Sequence, residues 1–284
     1  MALTFTSVFP IGSIVDTPDG GPKYEILSSL GKGSFGQVFK ARNVTDQQEI
    51  ALKIVHAEHK TSNPRSETDM MYTLKKQHGV IQIFTSFDVV RDRKRYLCMA
   101  LELLGHSLLS QIKNRVLCEN NVLKLAYDLT EALRILEKFG IVHCDIHSAN
   151  VMFDANLTVV KLVDFGMACR FRTLARSGGP PYKYIFDSVM LFHTVMACRT
   201  SKKVVVRFPF APKKIYRELE AIREKLFKDN NLFLRPYVYA LMDEVISTDP
   251  VNYTCLFTGI TDCKVSFTHQ APFSLTTDTP PMLM

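Results

Sequence analysis

The sequence lacks the long apolar runs of membrane proteins. No stretch of its 284 residues approaches the roughly 20 consecutive apolar residues that a membrane-spanning helix needs. The opening MALTFTSVFPIGSIV also lacks the positively charged region that begins a secretory signal. We therefore expect a soluble, intracellular protein, cytoplasmic or nuclear, with no membrane partner.

Paired cysteine motifs are missing as well. The seven cysteines are scattered, odd in number and never spaced as C-x-x-C, which fits buried thiols better than a disulfide framework or a zinc site. A formal net charge of +7 suits acidic partners such as phosphates. The basic residues are dispersed, however, and no nucleic-acid recognition motif accompanies them. The sequence thus gives no direct evidence for a nucleic-acid partner.

The first hundred residues predict a sheet with one helix. YEILSSL, GQVFKARN and EIALKIV alternate as strands with turn residues between them, and IQIFTSFDVV and RYLCMALELL predict two more strands. Residues 65 to 78 have helical character. A sheet-rich lobe of five antiparallel strands and one helix follows from this order.

A helical period replaces the strand period after residue 104. Further helices are predicted at 186–198, 212–228 and 234–247. The expected organisation is an N-terminal extension (1–23), a sheet-rich lobe (24–104), an abbreviated helical lobe (105–249) and a C-terminal tail (250–284) without an assigned structure.

Glycines follow the first predicted strand in the spacing G-x-G-x-x-G-x-V. A Rossmann turn shows the same glycines, but it opens a helix, whereas the sequence after Gly36 is strand-like. Glycines let backbone amides approach phosphate oxygens closely, so this stretch predicts a hairpin lid over nucleotide phosphates. The predicted lid residues are Gly31, Lys32, Gly33, Ser34, Phe35 and Gly36, followed by Val38.

Lys53 lies on an otherwise apolar predicted strand, 17 positions after Gly36. Taken alone it would be a solvated surface lysine, but its spacing from the glycines favours a lysine that binds phosphate oxygens beneath the lid. A carboxylate would hold it charged and correctly directed. We expect Glu67 in that role, with Glu58 and Asp69 as competitors.

A second cluster of polar residues lies in IVHCDIHSANVMF and VDFG. In a phosphoryl-transfer site, Asp145 would contact the attacking hydroxyl, while Asn150 and Asp164 would supply oxygen ligands to Mg²⁺ bound with the phosphates. For an isolated Asp or Asn, a loop cap would be the simpler interpretation. The ordered set of glycines, lysine, glutamate, H-x-D-x-x-x-x-N and DFG predicts an ATP- and Mg²⁺-dependent enzyme.

These motifs resemble the eukaryotic protein kinases over roughly residues 24 to 200. GKGSFGQVFKA, ALKIV, HCDIHSAN and DFG are similar to the family's phosphate lid, lysine strand, catalytic loop and metal-binding turn. LGKGSFGQVFKA and LELLGHSLLSQI are most similar to the homeodomain-interacting and dual-specificity tyrosine-regulated Ser/Thr kinases. The resemblance implies a two-lobed α+β fold: an N-lobe with a five-stranded antiparallel sheet and one helix, and a mainly helical C-lobe.

The resemblance also implies roles for residues that spacing alone does not assign. Leu101 would guard the back of the nucleotide pocket, and Asp187 would hydrogen-bond to the catalytic-loop backbone. An internal apolar column would contain His143, Phe165 and Met71. The implied adenine-binding residues are Val38, Ala51, Glu102, Leu103 and Met152.

Three features depart from the family pattern. Cys144 replaces the arginine that normally binds an activation-loop phosphate, so activation by loop phosphorylation is in doubt. His147 replaces the usual lysine; it can donate a hydrogen bond to the transferred phosphate but is only partly charged at neutral pH. No A-P-E lies between Asp164 and Asp187, which predicts a short activation segment and a reduced peptide-docking surface.

Three functions are consistent with this pattern. The leading hypothesis is a protein Ser/Thr kinase acting on an unidentified protein substrate, with Asp145, Lys53, Glu67 and His147 as the catalytic set. A nucleotide-binding pseudokinase scaffold and a small-molecule phosphotransferase are the alternatives. A regulatory partner that completes the reduced C-lobe is also left open.

Overall fold

The computed structural model describes most of the chain. The described residues are 8–32, 36–58, 64–113, 116–171, 183–199, 217, 220–221, 223–224, 232–247, 251–263, 265 and 271–273. The predicted helix at 212–228 lies almost entirely outside them.

Six of the described strands form the antiparallel sheet of the N-lobe, in the order β1-β2-β3-β4-β6-β5. The five long strands match those that the sequence predicts, whereas the short β1 was not predicted. Helix α1 ends at Thr73, before the predicted end at residue 78. The elements are β1 (Ile14–Asp16), β2 (Lys23–Lys32), β3 (Gly36–Asn43), β4 (Glu49–His56), α1 (Pro64–Thr73), β5 (Ile83–Arg91) and β6 (Lys94–Glu102).

The two faces of this sheet belong to different cores. Because side chains alternate along a strand, β4 directs Ile50, Leu52 and Ile54 to one face, where they join a core confined to the N-lobe. Ala51 and Val55 face the other way and join a core that continues into the C-lobe. Lys53 lies between these two in sequence, and this alternation places it on the face toward the cleft.

The N-terminal segment covers the outer face. Val8, Phe9 and Val15 are buried in the N-lobe core, and β1 pairs with β2. The ring of Phe9 meets that of Tyr96 edge to face, with centroids 5.1 Å apart. The described residues of the predicted extension, from Val8 onward, therefore pack on the N-lobe, where they cover the apolar outer face of the sheet.

The C-lobe combines helices with short strand pairs. Helix α3 buries a broad face of 13 residues against the lobe. Strand β7 pairs with β10, and β8 pairs with β9. The elements are α2 (Leu108–Ile112), α3 (Glu119–Lys138), β7 (Ile141–Val142), β8 (Val151–Phe153), β9 (Val160–Leu162), β10 (Cys169–Arg170), α4 (Lys183–Ala197), α5 (Arg235–Ser247) and α6 (Tyr253–Thr261).

Part of the unassigned tail belongs to this lobe. Helix α6 buries Leu256 and Ile260 in the core shared by the lobes. Phe273 is also buried; its ring packs edge to face on Phe153, and its backbone amide donates to the carbonyl of Leu157. The described residues of the tail thus pack on the C-lobe.

The scattered cysteines were expected to be buried thiols, and only some of them are buried. All seven are free thiols, and three of them are buried. Cys118 is exposed, so the expectation of buried thiols is wrong for that residue. The buried thiols are Cys98, Cys198 and Cys263, and the half-buried ones are Cys144, Cys169 and Cys255.

Within the described residues, no helix is both long and apolar enough to cross a bilayer.

Candidate active site

Lys53 lies at the centre of the cleft with two carboxylates. Its ammonium Nζ lies 2.6 Å from Oε1 of Glu67 and 2.9 Å from Oδ1 of Asp164. The three residues come from β4, α1 and the turn after β9, so elements of both lobes converge there. Glu67 is the expected partner, and neither Glu58 nor Asp69 takes its place.

Because these three side chains are close together and largely buried, their charges shift one another's pKa values. Burial alone would lower the pKa of Lys53, but the nearby carboxylates of Glu67 and Asp164 raise it overall, so the ammonium stays charged. Burial raises the pKa of Glu67, and Lys53 opposes that shift. For Asp164, burial acts to raise the pKa, yet Lys53 and the Gly166 amide bring it below its ordinary value. The cluster therefore presents one fixed positive charge beside an ionised carboxylate.

The catalytic-loop residues lie together as predicted. Nδ2 of Asn150 donates to both the backbone carbonyl and Oδ2 of Asp145, at 2.9 and 3.0 Å. Nε2 of His147 lies 3.5 Å from the same Oδ2. The hydrogen bond between these two side chains raises the pKa of His147 and lowers that of Asp145. Asp145 is thus an ionised carboxylate in a fixed orientation.

Buried groups beneath the loop fix its backbone. Asp187 accepts hydrogen bonds from the amides of His143 and Cys144, at 2.6 and 3.0 Å, as predicted. Burial raises the pKa of Asp187 to about 7, and the two amides oppose that shift. The ring of His143 lies 4.8 Å from that of Phe165, and burial lowers its pKa to about 4. His143 is therefore a neutral core residue, which supports the structural role expected for it.

Cys144 occupies a strained position in the loop. Its φ of 65° lies in the left-handed region that non-glycine residues rarely adopt. Its Sγ lies 3.6 Å from Sγ of Cys169 in β10. The predicted short activation segment follows β10, and its residues 172–182 lie outside the described residues.

Several of the predicted adenine-binding residues lie on β3, β4 and β6, the strands around Lys53. Register pairs Val38 with Lys53 between β3 and β4, and Ala51 with Leu101 between β4 and β6. Leu103 and Val38 pack against the core shared by the lobes. Contact of these residues with adenine stays a prediction.

Gly31 and Gly36 of the predicted lid differ in how closely other atoms surround them. Gly33, Ser34 and Phe35 lie outside the described residues. A Cβ at Gly36 would clash with the carbonyl oxygen of Ile54, so the close approach of β3 to β4 requires glycine there. A Cβ at Gly31 would meet nothing within 4 Å, which is consistent with open space for a ligand. Packing thus explains Gly36 without any phosphate.

One charged residue of the cleft was missed by the sequence analysis. Nζ of Lys161 in β9 lies 2.8 and 2.7 Å from the two carboxylate oxygens of Glu102. Lys161 pairs in register with Met152, the predicted floor of the adenine site. A lone lysine in the apolar stretch VVKLV was the available signal.

The donor set fits a magnesium nucleotide. Mg²⁺ is usually held by one or two carboxylates together with substrate phosphates rather than by an all-protein cage. Among the described residues, no group of three or more His, Cys, Asp or Glu side chains could hold a metal by itself. Asn150 uses its amide nitrogen for Asp145, so its Oδ1 and the carboxylate of Asp164 would be the oxygen ligands for Mg²⁺.

Comparison with known proteins agrees with this geometry. A family model described as the protein kinase domain matches residues 24–184, more than half of the chain. The chain belongs to the protein kinase family. A solved structure described as vaccinia related kinase 3 covers 94% of this kinase at a TM-score of 0.65, with 17% identity. At that identity the likeness shows the fold, and it confirms the two-lobed architecture.

Curated relatives include kinases of the expected branch. The probable serine/threonine-protein kinase yakA of Dictyostelium discoideum is 31% identical over 170 residues, covering 56% of this chain and 11% of that protein. The dual specificity tyrosine-phosphorylation-regulated kinase mbk-2 of Caenorhabditis elegans is 31% identical over 157 residues, covering 52% of this chain and 19% of that protein. The chain therefore spans only a minor part of the length of these relatives.

Proposed function

We propose that this kinase transfers the γ-phosphate of ATP to Ser or Thr hydroxyls of protein substrates. The observation that carries the proposal is the convergence of Lys53, Glu67 and Asp164, with Asp145 fixed by Asn150 nearby. Phosphoryl transfer needs a pair of metal ligands, a fixed cation for the phosphates and an ionised base.

The residues have separate roles in this proposal. Lys53 would hold the α- and β-phosphates, and Glu67 would position Lys53. Asn150 and Asp164 would hold Mg²⁺, which supplies charge neutralisation at the phosphates when bound. Asp145 would orient the substrate hydroxyl and accept its proton; the contacts that lower its pKa keep it ionised before transfer.

The nucleotide base would lie between the lobes. Val38, Ala51 and Met152 would contact its faces, and backbone groups of Glu102 and Leu103 would contact its edge. The lid from Gly31 to Gly36, with Lys32, Ser34 and Phe35, would cover the phosphates.

His147 would assist the transfer step. As an imidazolium it would donate a hydrogen bond to the transferred phosphoryl group, in place of the usual lysine. Its contact with Asp145 places it beside the base, where it supports the charged form of both groups. The substitution predicts a slower enzyme rather than an inactive one.

The test is phosphoryl transfer from radiolabelled ATP, to the protein itself and to a basic generic protein. Wild type should transfer label, whereas Asp145→Ala and Asp164→Asn should each abolish transfer while leaving the folded protein intact by circular dichroism. Transfer that persists unchanged in both variants would eliminate the assignment.

A nucleotide-binding pseudokinase is the second candidate. His147 at the position of the usual lysine, together with Cys144, favours it. Stabilisation of the protein by ATP with no transfer under several divalent cations would support this candidate, because a ligand that binds only the folded state raises its stability.

A further inference from the structure

Three segments from both lobes meet behind the predicted adenine site. The loop between α1 and β5 pairs with β9, since the amide of Leu162 donates to the carbonyl of Gly79 and that of Ile81 donates to the carbonyl of Leu162, at 2.9 and 3.0 Å. The same loop pairs with the end of β6, because the amide of Glu102 donates to the carbonyl of Gln82 at 3.0 Å. We call residues Gly79–Gln82, Glu102 and Lys161–Leu162 the interlobe junction.

An ion pair between Glu102 and Lys161 spans the interlobe junction. Both carboxylate oxygens of Glu102 contact Nζ of Lys161, and Oε1 also accepts from the backbone amide of Gln82 at 2.7 Å. The side chains are only 20% and 16% exposed, whereas the N-lobe surface pair of Glu25 and Arg42 is 32% and 39% exposed. Since less solvent screens it, the pair at the junction constrains geometry more than a surface pair does.

Both residues of this pair are next to groups that would bind Mg·ATP. Glu102 occupies the predicted hinge, so its side chain fixes the backbone that would face adenine. Lys161 is the register partner of Met152 on the pocket floor. It also precedes Asp164 by three residues on the same strand and turn. The ion pair therefore links the hinge, the floor and the metal-binding turn.

We propose that Glu102 and Lys161 are positioning residues whose ion pair fixes the hinge relative to β9 and thereby sets the affinity for Mg·ATP. The inference rests on the proposed function for its ligand, although it requires only nucleotide binding and not transfer. Loss of either side chain charge would let the hinge and the Asp164 turn move independently, so bound nucleotide would contact one or the other less well.

The test is the equilibrium dissociation constant for Mg·ATP, measured by calorimetry on the purified chain. Lys161→Met and Glu102→Gln should each raise Kd about three- to tenfold, as expected for removal of a coupled contact. Glu102→Gln keeps the acceptor for Gln82, so it isolates the loss of charge. Lys161→Arg should bind as wild type does, because a guanidinium pairs with both carboxylate oxygens.

A double-mutant cycle shows whether the two residues act through each other. The combined Glu102→Gln and Lys161→Met variant should bind no more weakly than the weaker single variant. The control is Arg42→Met, which removes the surface pair with Glu25 and should leave Kd unchanged. If the protein transfers phosphate, KM for ATP should rise in the single variants while kcat changes little.

Several results would overturn the proposal. If Lys161→Met binds Mg·ATP with the same Kd as Arg42→Met but unfolds at a lower denaturant concentration than wild type, the pair only stabilises the fold. Additive losses in the double variant would show that the residues act independently. Wild type that binds Mg·ATP but never transfers phosphate would refute the proposed function and leave this inference standing. Wild type that binds no nucleotide would refute both.

Discussion

The two faces of the N-lobe sheet differ although the same strands build them. On β4, Ile50, Leu52 and Ile54 enter a core that the N-lobe closes by itself. Lys53 lies between Leu52 and Ile54 in sequence, yet its ammonium contacts carboxylates from α1 and from the C-lobe. One strand thus provides stability on one face and the candidate chemistry on the other.

This comparison shows why a buried lysine is tolerated in so apolar a strand. A buried charge is costly unless it is paired and hydrogen-bonded. Lys53 has two carboxylates within 3 Å of its Nζ, and its alternation with Leu52 and Ile54 keeps it out of the closed N-lobe core. Substitutions on each face should therefore separate activity from stability.

The largest effect is expected on the cleft face. Lys53→Met should lower phosphoryl transfer by about 10²- to 10³-fold or more, because a cation that stabilises transferred charge is lost. Stability should change little, since burial already raises the pKa of Glu67 and its carboxyl can take up a proton once unpaired. Radiolabel transfer and thermal unfolding of the same samples measure both quantities. A variant that fails to fold would contradict the separation of the faces.

The next largest effect is expected beneath the outer face. Phe9→Ala should lower the free energy of unfolding by about 3–5 kcal/mol, because it empties a fully buried aromatic site. Transfer measured well below the unfolding transition should remain. Ile11→Ala, at a side chain that is 63% exposed, is the control and should change stability by about 0.5 kcal/mol or less. Equal effects of the two variants would mean that the N-terminal segment does not pack on the sheet.

A smaller effect sharpens the comparison within β4. Ile54→Val removes one methylene from the N-lobe core and should cost about 0.5–1.5 kcal/mol. KM for ATP and kcat should both stay at wild-type values, although Ile54 adjoins Lys53 in sequence. Urea unfolding and steady-state kinetics provide the measurements. A changed KM would show that the faces are mechanically coupled.

The smallest effect concerns pH. The pKa of His147 is raised by Asp145, so the imidazolium is populated at low pH and is lost as pH rises through that raised value. The pKa of Asp145 is lowered, so its carboxylate persists throughout this range. Transfer should therefore decline as the pH rises above about 6.5, the ordinary pKa of histidine. His147→Lys should flatten that decline, and identical pH profiles for the two proteins would contradict the role of His147.

Much of the site could be predicted because its residues occur in ordered spacings. Lys53, Asp145 and Asp164 each lie within a motif whose chemistry requires that residue type. Lys161 could not be found in this way, because its partner Glu102 is 59 residues distant and no motif joins them. The contact exists because the loop between α1 and β5 pairs with both β9 and the end of β6.

The elements at the two ends of the chain were missed for another reason. Strand β1 has three residues, too few to show a period. Helix α6 has the sequence YTCLFTGIT, which is rich in residues of low helix propensity. Packing of Leu256 and Ile260 into the core shared by the lobes stabilises it despite that composition.

The sequence by itself determined the alternation of β4 and which residues are candidates for phosphate binding, proton acceptance and metal ligation, since periodicity and motif spacing are local properties. Tertiary structure alone decided that Lys53 meets Glu67, 14 residues away, and Asp164, 111 residues away. It likewise decided that Lys161 meets Glu102. Such contacts depend on how whole elements pack, because burial of the apolar faces fixes where the charged side chains converge.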